Sequence, residues 1–168
     1  MAMELVSTVT VGSGGAASIE FTGIAGTGKD LLVYVSARSS WTGHDDLVMR
    51  VNNNSNSIYN WRNLRGDGAS ATSSSGTSQT LALVGRTTGT NLTANTFSNQ
   101  QIYLPNYAGS SDKSYSADSV NENNATTAWQ LLDAGRIATT SAITSLQFDT
   151  NNGGSFGEFT TISLYIIS

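Results

Sequence analysis

A chain of 168 residues with no cysteine, one histidine and 12% charged residues is long enough to bury about two-thirds of the surface its unfolded form exposes. It excludes disulfides, thiolate metal sites and cysteine nucleophiles, and it confines imidazole chemistry to His44. The formal net charge of −4 argues against a basic groove for nucleic acid, while the longest apolar runs, such as residues 31–35, fall far short of the roughly 20 residues of a membrane helix.

Near the N-terminus, Glu4 stands where a secretory leader carries basic residues, so no signal peptide is expected. Leu5, Val9 and Val11 alternate with Thr8 and Thr10; Ile19 and Phe21 alternate with Ser18, Glu20 and Thr22; Leu47, Met49 and Val51 alternate with Arg50 and Asn52. A spacing of two is the signature of half-buried strands. It recurs over residues 30–38, 58–64, 80–85, 100–105, 113–120, 142–149 and 158–167. Clusters such as Gly12-Ser13-Gly14-Gly15, Gly26-Thr27-Gly28, Asn52-Asn53-Asn54 and Asn151-Asn152-Gly153-Gly154 separate these runs as turns. Residues 66–78 are small and polar throughout, which predicts a long flexible loop. Residues 126–138 could be read as a helix, but Trp129, Leu131 and Ile137 also alternate and Gly135 disfavours a helix, so a strand with a bulge near Gly135 is expected. The whole pattern predicts one all-β domain over residues 1–168, a jelly roll or β-sandwich of about 8–11 antiparallel strands.

Several short motifs carry chemistry elsewhere and are read here as turns. Gly23 to Lys29 has the glycine and lysine positions of a phosphate-binding loop, but Asp30 follows where a hydroxyl should hold Mg²⁺, and a strand pattern replaces the required helix. Gly153-Gly154-Ser155-Phe156-Gly157 resembles a nucleophile elbow, yet a strand follows it and His44 lies far upstream. His44, Asp45 and Asp46 are read as a solvated turn before a strand at Leu47, and Asp149 to Gly154 as a turn without the twelfth-position glutamate of a calcium loop. Arg65-Gly66-Asp67 and the Asn-x-Ser/Thr triplets at Asn53, Asn91 and Asn124 are attributed to composition. Glu20, Asp118, Glu122 and Glu158 show no spacing that pairs them for glycoside hydrolysis, so no catalytic, metal or cofactor-binding residues are expected and the chain is read as a non-enzyme.

Tyr59 and Trp61 share one strand face, the geometry of a core layer or of sugar stacking, and are read as core packing or a subunit contact. In the last strand Ile162, Leu164 and Ile166 point one way while Phe159, Tyr165 and Ile167 point the other, so both faces are apolar. Tyr59, Trp61, Phe159, Tyr165 and Ile167 are therefore the candidate subunit interface.

Several segments taken in order carry a family resemblance: residues 18–24, Asp30-Leu31-Leu32-Val33 with Ser36-Ala37-Arg38, residues 47–52, Tyr59-Asn60-Trp61 leading to residues 64–68, residues 139–146, and Phe159 to Tyr165. Over nearly its whole length the chain resembles a family of small virion proteins of tailed bacteriophages, especially marine and cyanobacterial ones. The ending Tyr165-Ile166-Ile167-Ser168 departs from that pattern, which has glycine after the tyrosine. The resemblance implies a trimeric jelly-roll protein of the particle's outer surface, assembled in the host cytoplasm. Its partners would be itself and the major capsid protein or other virion proteins, with no membrane and no cofactor. Two roles follow. A capsid decoration (cement) protein is favoured because the chain has neither heptads nor a collagen-like repeat for a shaft. The alternative is a tail-fibre or receptor-binding module recognising a host glycan through Trp41, His44, Asp45 and the segment at 66–78.

Overall fold

A computed structural model of the protein describes residues 2–122 and 128–168; the Asn124 triplet and the start of the 126–138 segment lie outside them. The described residues form twelve strands and no helix: β1 (Met3–Thr10), β2 (Ser18–Phe21), β3 (Asp30–Ala37), β4 (His44–Val51), β5 (Tyr59–Gly66), β6 (Ala71–Gln79), β7 (Ala82–Thr88), β8 (Ser98–Pro105), β9 (Lys113–Asn121), β10 (Trp129–Ile137), β11 (Leu146–Thr150) and β12 (Thr161–Ile167). They build two sheets, one of eight strands in the order β1-β12-β3-β8-β9-β10-β5-β6 and one of four in the order β2-β11-β4-β7. Every strand pair is antiparallel.

Eight of these strands form a jelly roll. The quartet β1-β12-β3-β8 faces the quartet β2-β11-β4-β7, and the chain passes back and forth between them as two Greek keys require. The other four strands are two hairpins, β5-β6 inserted between β4 and β7 and β9-β10 inserted between β8 and β11. Both add beyond β8, so the large sheet outgrows the small one on a single side. Strand β7 packs across β8, β9, β10 and β5 and covers that part of the annex's inner face.

Alternation places the core between the sheets. Val33, Val35, Ile102, Leu104, Ile162 and Leu164 of the large sheet meet Phe21, Leu47, Met49 and Phe148 of the small one, all buried. Phe21 and Phe148 pack edge to face with centroids 6.3 Å apart. Strand β12 enters last in chain order yet lies between β1 and β3.

Three expectations change. Residues 71–79 are not a loop: they pair with β5 as the edge strand β6, because an edge strand satisfies its backbone on one neighbour and needs no apolar face. The Asp67 carboxylate sets the turn, accepting hydrogen bonds from the Ala69 and Ser70 N–H groups at 2.9 and 2.7 Å. Strand β4 begins at His44 rather than Leu47, which moves His44, Asp45 and Asp46 from a solvated turn into the sheet. Residues 129–137 are the expected strand, but pairing runs unbroken through Gly135, and the irregularity lies in the β5-β6 ladder near Tyr59 and Trp61. Gly135 instead makes room for the Tyr115 ring: a Cβ there would stand 2.4 Å from its Cε1.

Candidate functional site

The core lies between the two sheets, so the outer face of the eight-stranded sheet is the one turned away from the small sheet. Two register rows cross all eight strands on that face. One reads Leu5, Tyr165, Leu32, Tyr103, Ser116, Ala134, Arg62, Ser75; its neighbour reads Thr8, Ser163, Tyr34, Gln101, Asp118, Leu132, Leu64, Ser73. Apolar groups gather at both ends. Toward β1, Leu5, Tyr34, Tyr165 and Leu32 cluster, with the Tyr34 and Tyr165 rings edge to face at 5.8 Å, and Met3 and Ile167 follow in the next row. Toward β6, Leu64 and Leu132 are 58% and 50% exposed.

Between these ends the sheet surface sinks where the row passes through Ser116 and Ala134, whose side chains are too small to fill it. The resulting depression holds about 350 Å³. Leu64, Leu132 and Tyr103 wall it with carbon, while Arg62, Gln101 and Asp118 offer a guanidinium, an amide and a carboxylate at its rim. Such a mix suits a neutral, hydroxyl-bearing ligand with an apolar face. Tyr103 is fixed there by donating its hydroxyl to Asp30 Oδ2 at 2.8 Å.

A second polar region lies under the annex, between β4, β7 and β10. Trp129 Nε1 donates to His44 Nε2 at 2.8 Å, and the Arg65 guanidinium lies 4.4 Å from the indole centroid. Arg86 pairs with Asp46 at 2.8 Å. Burial, followed by the charge of Arg86, holds the His44 imidazole below its ordinary pKa. Deeper still, Asp133 is 2% exposed and accepts a hydrogen bond from Asn63 Nδ2 at 2.8 Å. Burial pushes its carboxyl up to about 7, against the opposing effect of the Asn63 bond. The Trp129–His44 bond ties the annex to the jelly roll.

The candidate interface residues separate. Tyr59 is wholly buried; its hydroxyl donates to the Asn54 carbonyl at 2.8 Å and accepts from the Val51 N–H at 3.1 Å, so it belongs to the core and cannot form a subunit contact. Trp61 lies half-buried against the core and over Gly76. Tyr165 and Ile167 do face outward on β12, and Phe159, 67% exposed, stands just before that strand. The glycan set Trp41, His44 and Asp45 also divides. Trp41 is exposed, but Asp45 is fully buried, its carboxylate accepting from Ser39 Oγ at 3.1 Å and from the Asn152 N–H at 3.0 Å, and His44 is engaged by Trp129. Glu20 on β2 and Asp118 on the outer face of β9 sit on different sheets.

The outer-face leucines were missed in the sequence, although a signal existed. In a strand, adjacent apolar residues such as Leu131-Leu132 and Leu31-Leu32 cannot both point inward. One of each pair had to face out. No protein-family model, curated protein or solved structure matches this chain.

Proposed function

We propose that the protein is a non-enzymatic structural subunit of a bacteriophage particle, a decoration (cement) protein that trimerises on the outer capsid surface and stabilises the head. The observation that carries this reading is the apolar end of the large sheet's outer face, where Leu5, Tyr34, Tyr165 and Ile167 gather around a buried Leu32. Aromatic and aliphatic groups gathered on one sheet face supply the buried centre of a subunit contact. A jelly roll with few charged residues also suits repeated lateral packing.

The test is sedimentation of the purified chain together with localisation on whole particles. A trimer that Tyr165→Lys disperses without unfolding, and density over the capsid shell, support the reading. A monomer found only at the tail tip overturns it.

A second reading, a tail-fibre module for a host surface glycan, is favoured by the depression over Ser116 and Ala134 with Arg62, Gln101 and Asp118 at its rim. It would use this site instead of Asp45. A glycan-array signal abolished by Ala134→Trp and retained in Trp41→Ala would establish it in place of decoration.

A further inference from the structure

The two sheets have four outer strands, β1 and β6 on the large sheet and β2 and β7 on the small one. An open edge presents unpaired N–H and C=O groups, and proteins that avoid joining edge to edge protect it with charge, proline, bulges or shortness. Three of the four carry such a device. Strand β1 has Glu4 and a bulge between Leu5 and Ser7, β2 is only four residues long and includes Glu20, and β7 carries Arg86. Strand β6 is different. Its nine residues, Ala-Thr-Ser-Ser-Ser-Gly-Thr-Ser-Gln, include no charge and no proline. Its one irregularity lies at the Thr77–Ser78 end, which leaves Ala71–Gly76 in regular register with β5. Among the described residues no strand pairs with its outer side.

The geometry points to β6 as a docking edge for a second copy of this chain, paired antiparallel about a two-fold axis near Ser73, so that two eight-stranded sheets become one. The argument for a second copy is self-complementarity. A two-fold axis perpendicular to the sheet sets each residue against one on the same face. Centred on Ser73, it opposes Ser73 to Ser73, Thr72 to Ser74 and Ala71 to Ser75. Every opposed pair is small and uncharged, and hydroxyl faces hydroxyl in the Ser73–Ser73 and Thr72–Ser74 pairs, a favourable cross-strand match. No like charges meet, and the outward-turned N–H and C=O groups of residues 71–75, those not already bonded to β5, gain partners. Leu64, which shares a register row with Ser73, brings an exposed leucine one strand behind the junction on each copy. The contact is small, so it is weak between free molecules and strong where copies are held side by side at high local concentration. It is independent of the outer-face contact proposed above; if that reading also holds, β6 edges join one trimer to its neighbours.

The chain has no cysteine, so a single introduced thiol reports the contact without background. Thr72→Cys, Ser73→Cys, Ser74→Cys and Ser75→Cys are each oxidised at high protein concentration, with Ser13→Cys in an exposed turn as the collision control. The expected result is a disulfide dimer at one β6 position, at least ten-fold faster than at Ser13 and falling away at neighbouring positions. A flat profile at the Ser13 rate overturns the proposal. As a second measurement, Ser73→Lys should weaken concentration-dependent self-association at least ten-fold in sedimentation while leaving the circular dichroism spectrum unchanged; undiminished association overturns the proposal. The two readings fail separately: a trimer without β6 cross-linking removes the edge contact alone, and a monomer that still cross-links at β6 removes the trimer alone.

Discussion

Trp129 donates its indole N–H to Nε2 of His44 across 2.8 Å, joining the first residue of β10 to the first residue of β4. An accepting Nε2 is an unprotonated one, so the bond exists only with a neutral imidazole.

The acid side of the stability curve should therefore carry a His44 component. Its folded pKa is depressed, so the stabilisation is complete above the ordinary histidine pKa, about 6.5, and is lost as pH falls through the lower folded value. Thermal unfolding between pH 7 and pH 5 should show this loss in the native chain and a shallower one in His44→Gln. Trp129→Phe should cost about 1 kcal/mol at neutral pH, the typical worth of one hydrogen bond.

Asp133 should act in the opposite direction. Its carboxyl is raised to about 7 in the folded protein, so its contribution is fully present below the unfolded carboxylate pKa near 4 and is lost as pH rises through about 7. Asp133→Asn keeps an acceptor for Asn63 and cannot ionise. It should be more stable than the native protein by about 1–3 kcal/mol at pH 8 and no more stable at pH 4, read by denaturant midpoints. A native chain already equal to the variant at pH 8 would show that the carboxyl titrates normally.

Gly85 should resist substitution. Its φ of +136° is strained for an L side chain, and a Cβ there would stand 2.8 Å from Gln100 Cγ and 3.0 Å from Ser119 Cβ. Gly85→Ala should lose about 2 kcal/mol or more, combining backbone strain with overpacking. An unchanged melting temperature would refute the close approach of β7 to β8 and β9.

Tyr59 and Tyr165 should separate folding from assembly. Tyr59→Phe removes a buried hydroxyl with two partners and should lower stability by about 1–2 kcal/mol without altering the sedimentation coefficient of the folded protein. Tyr165→Lys, on the outer face, should do the reverse. If both variants changed only stability, the outer face of β12 would not be a contact surface.

Much of the architecture was legible in the alternation of apolar residues, because a half-buried strand writes its period directly into the sequence. Ile19 and Phe21, or Ile162, Leu164 and Ile166, needed no further information. Strand β6 was illegible for the same reason: it buries almost nothing, and its pairing is dictated by β5 and by the Asp67 turn rather than by its own pattern. The assignment of Tyr59 to a surface failed because alternation identifies two faces without saying which is inside. The outer-face depression depends on Ser116 and Ala134 standing side by side, a relation between strands that sequence spacing does not contain.

The position of β12 governs the order in which the molecule can be made. Because residues 161–167 lie between β1 and β3, a nascent chain lacking them cannot join those two strands, and the apolar inner residues Val33 and Val35 lose a flanking strand on one side. Vectorial synthesis therefore leaves a vacant slot in the larger sheet until the final strand is made. Long-range closure of this kind is slow. Truncation within residues 161–167 should trap an aggregation-prone, half-built sandwich rather than a smaller stable one.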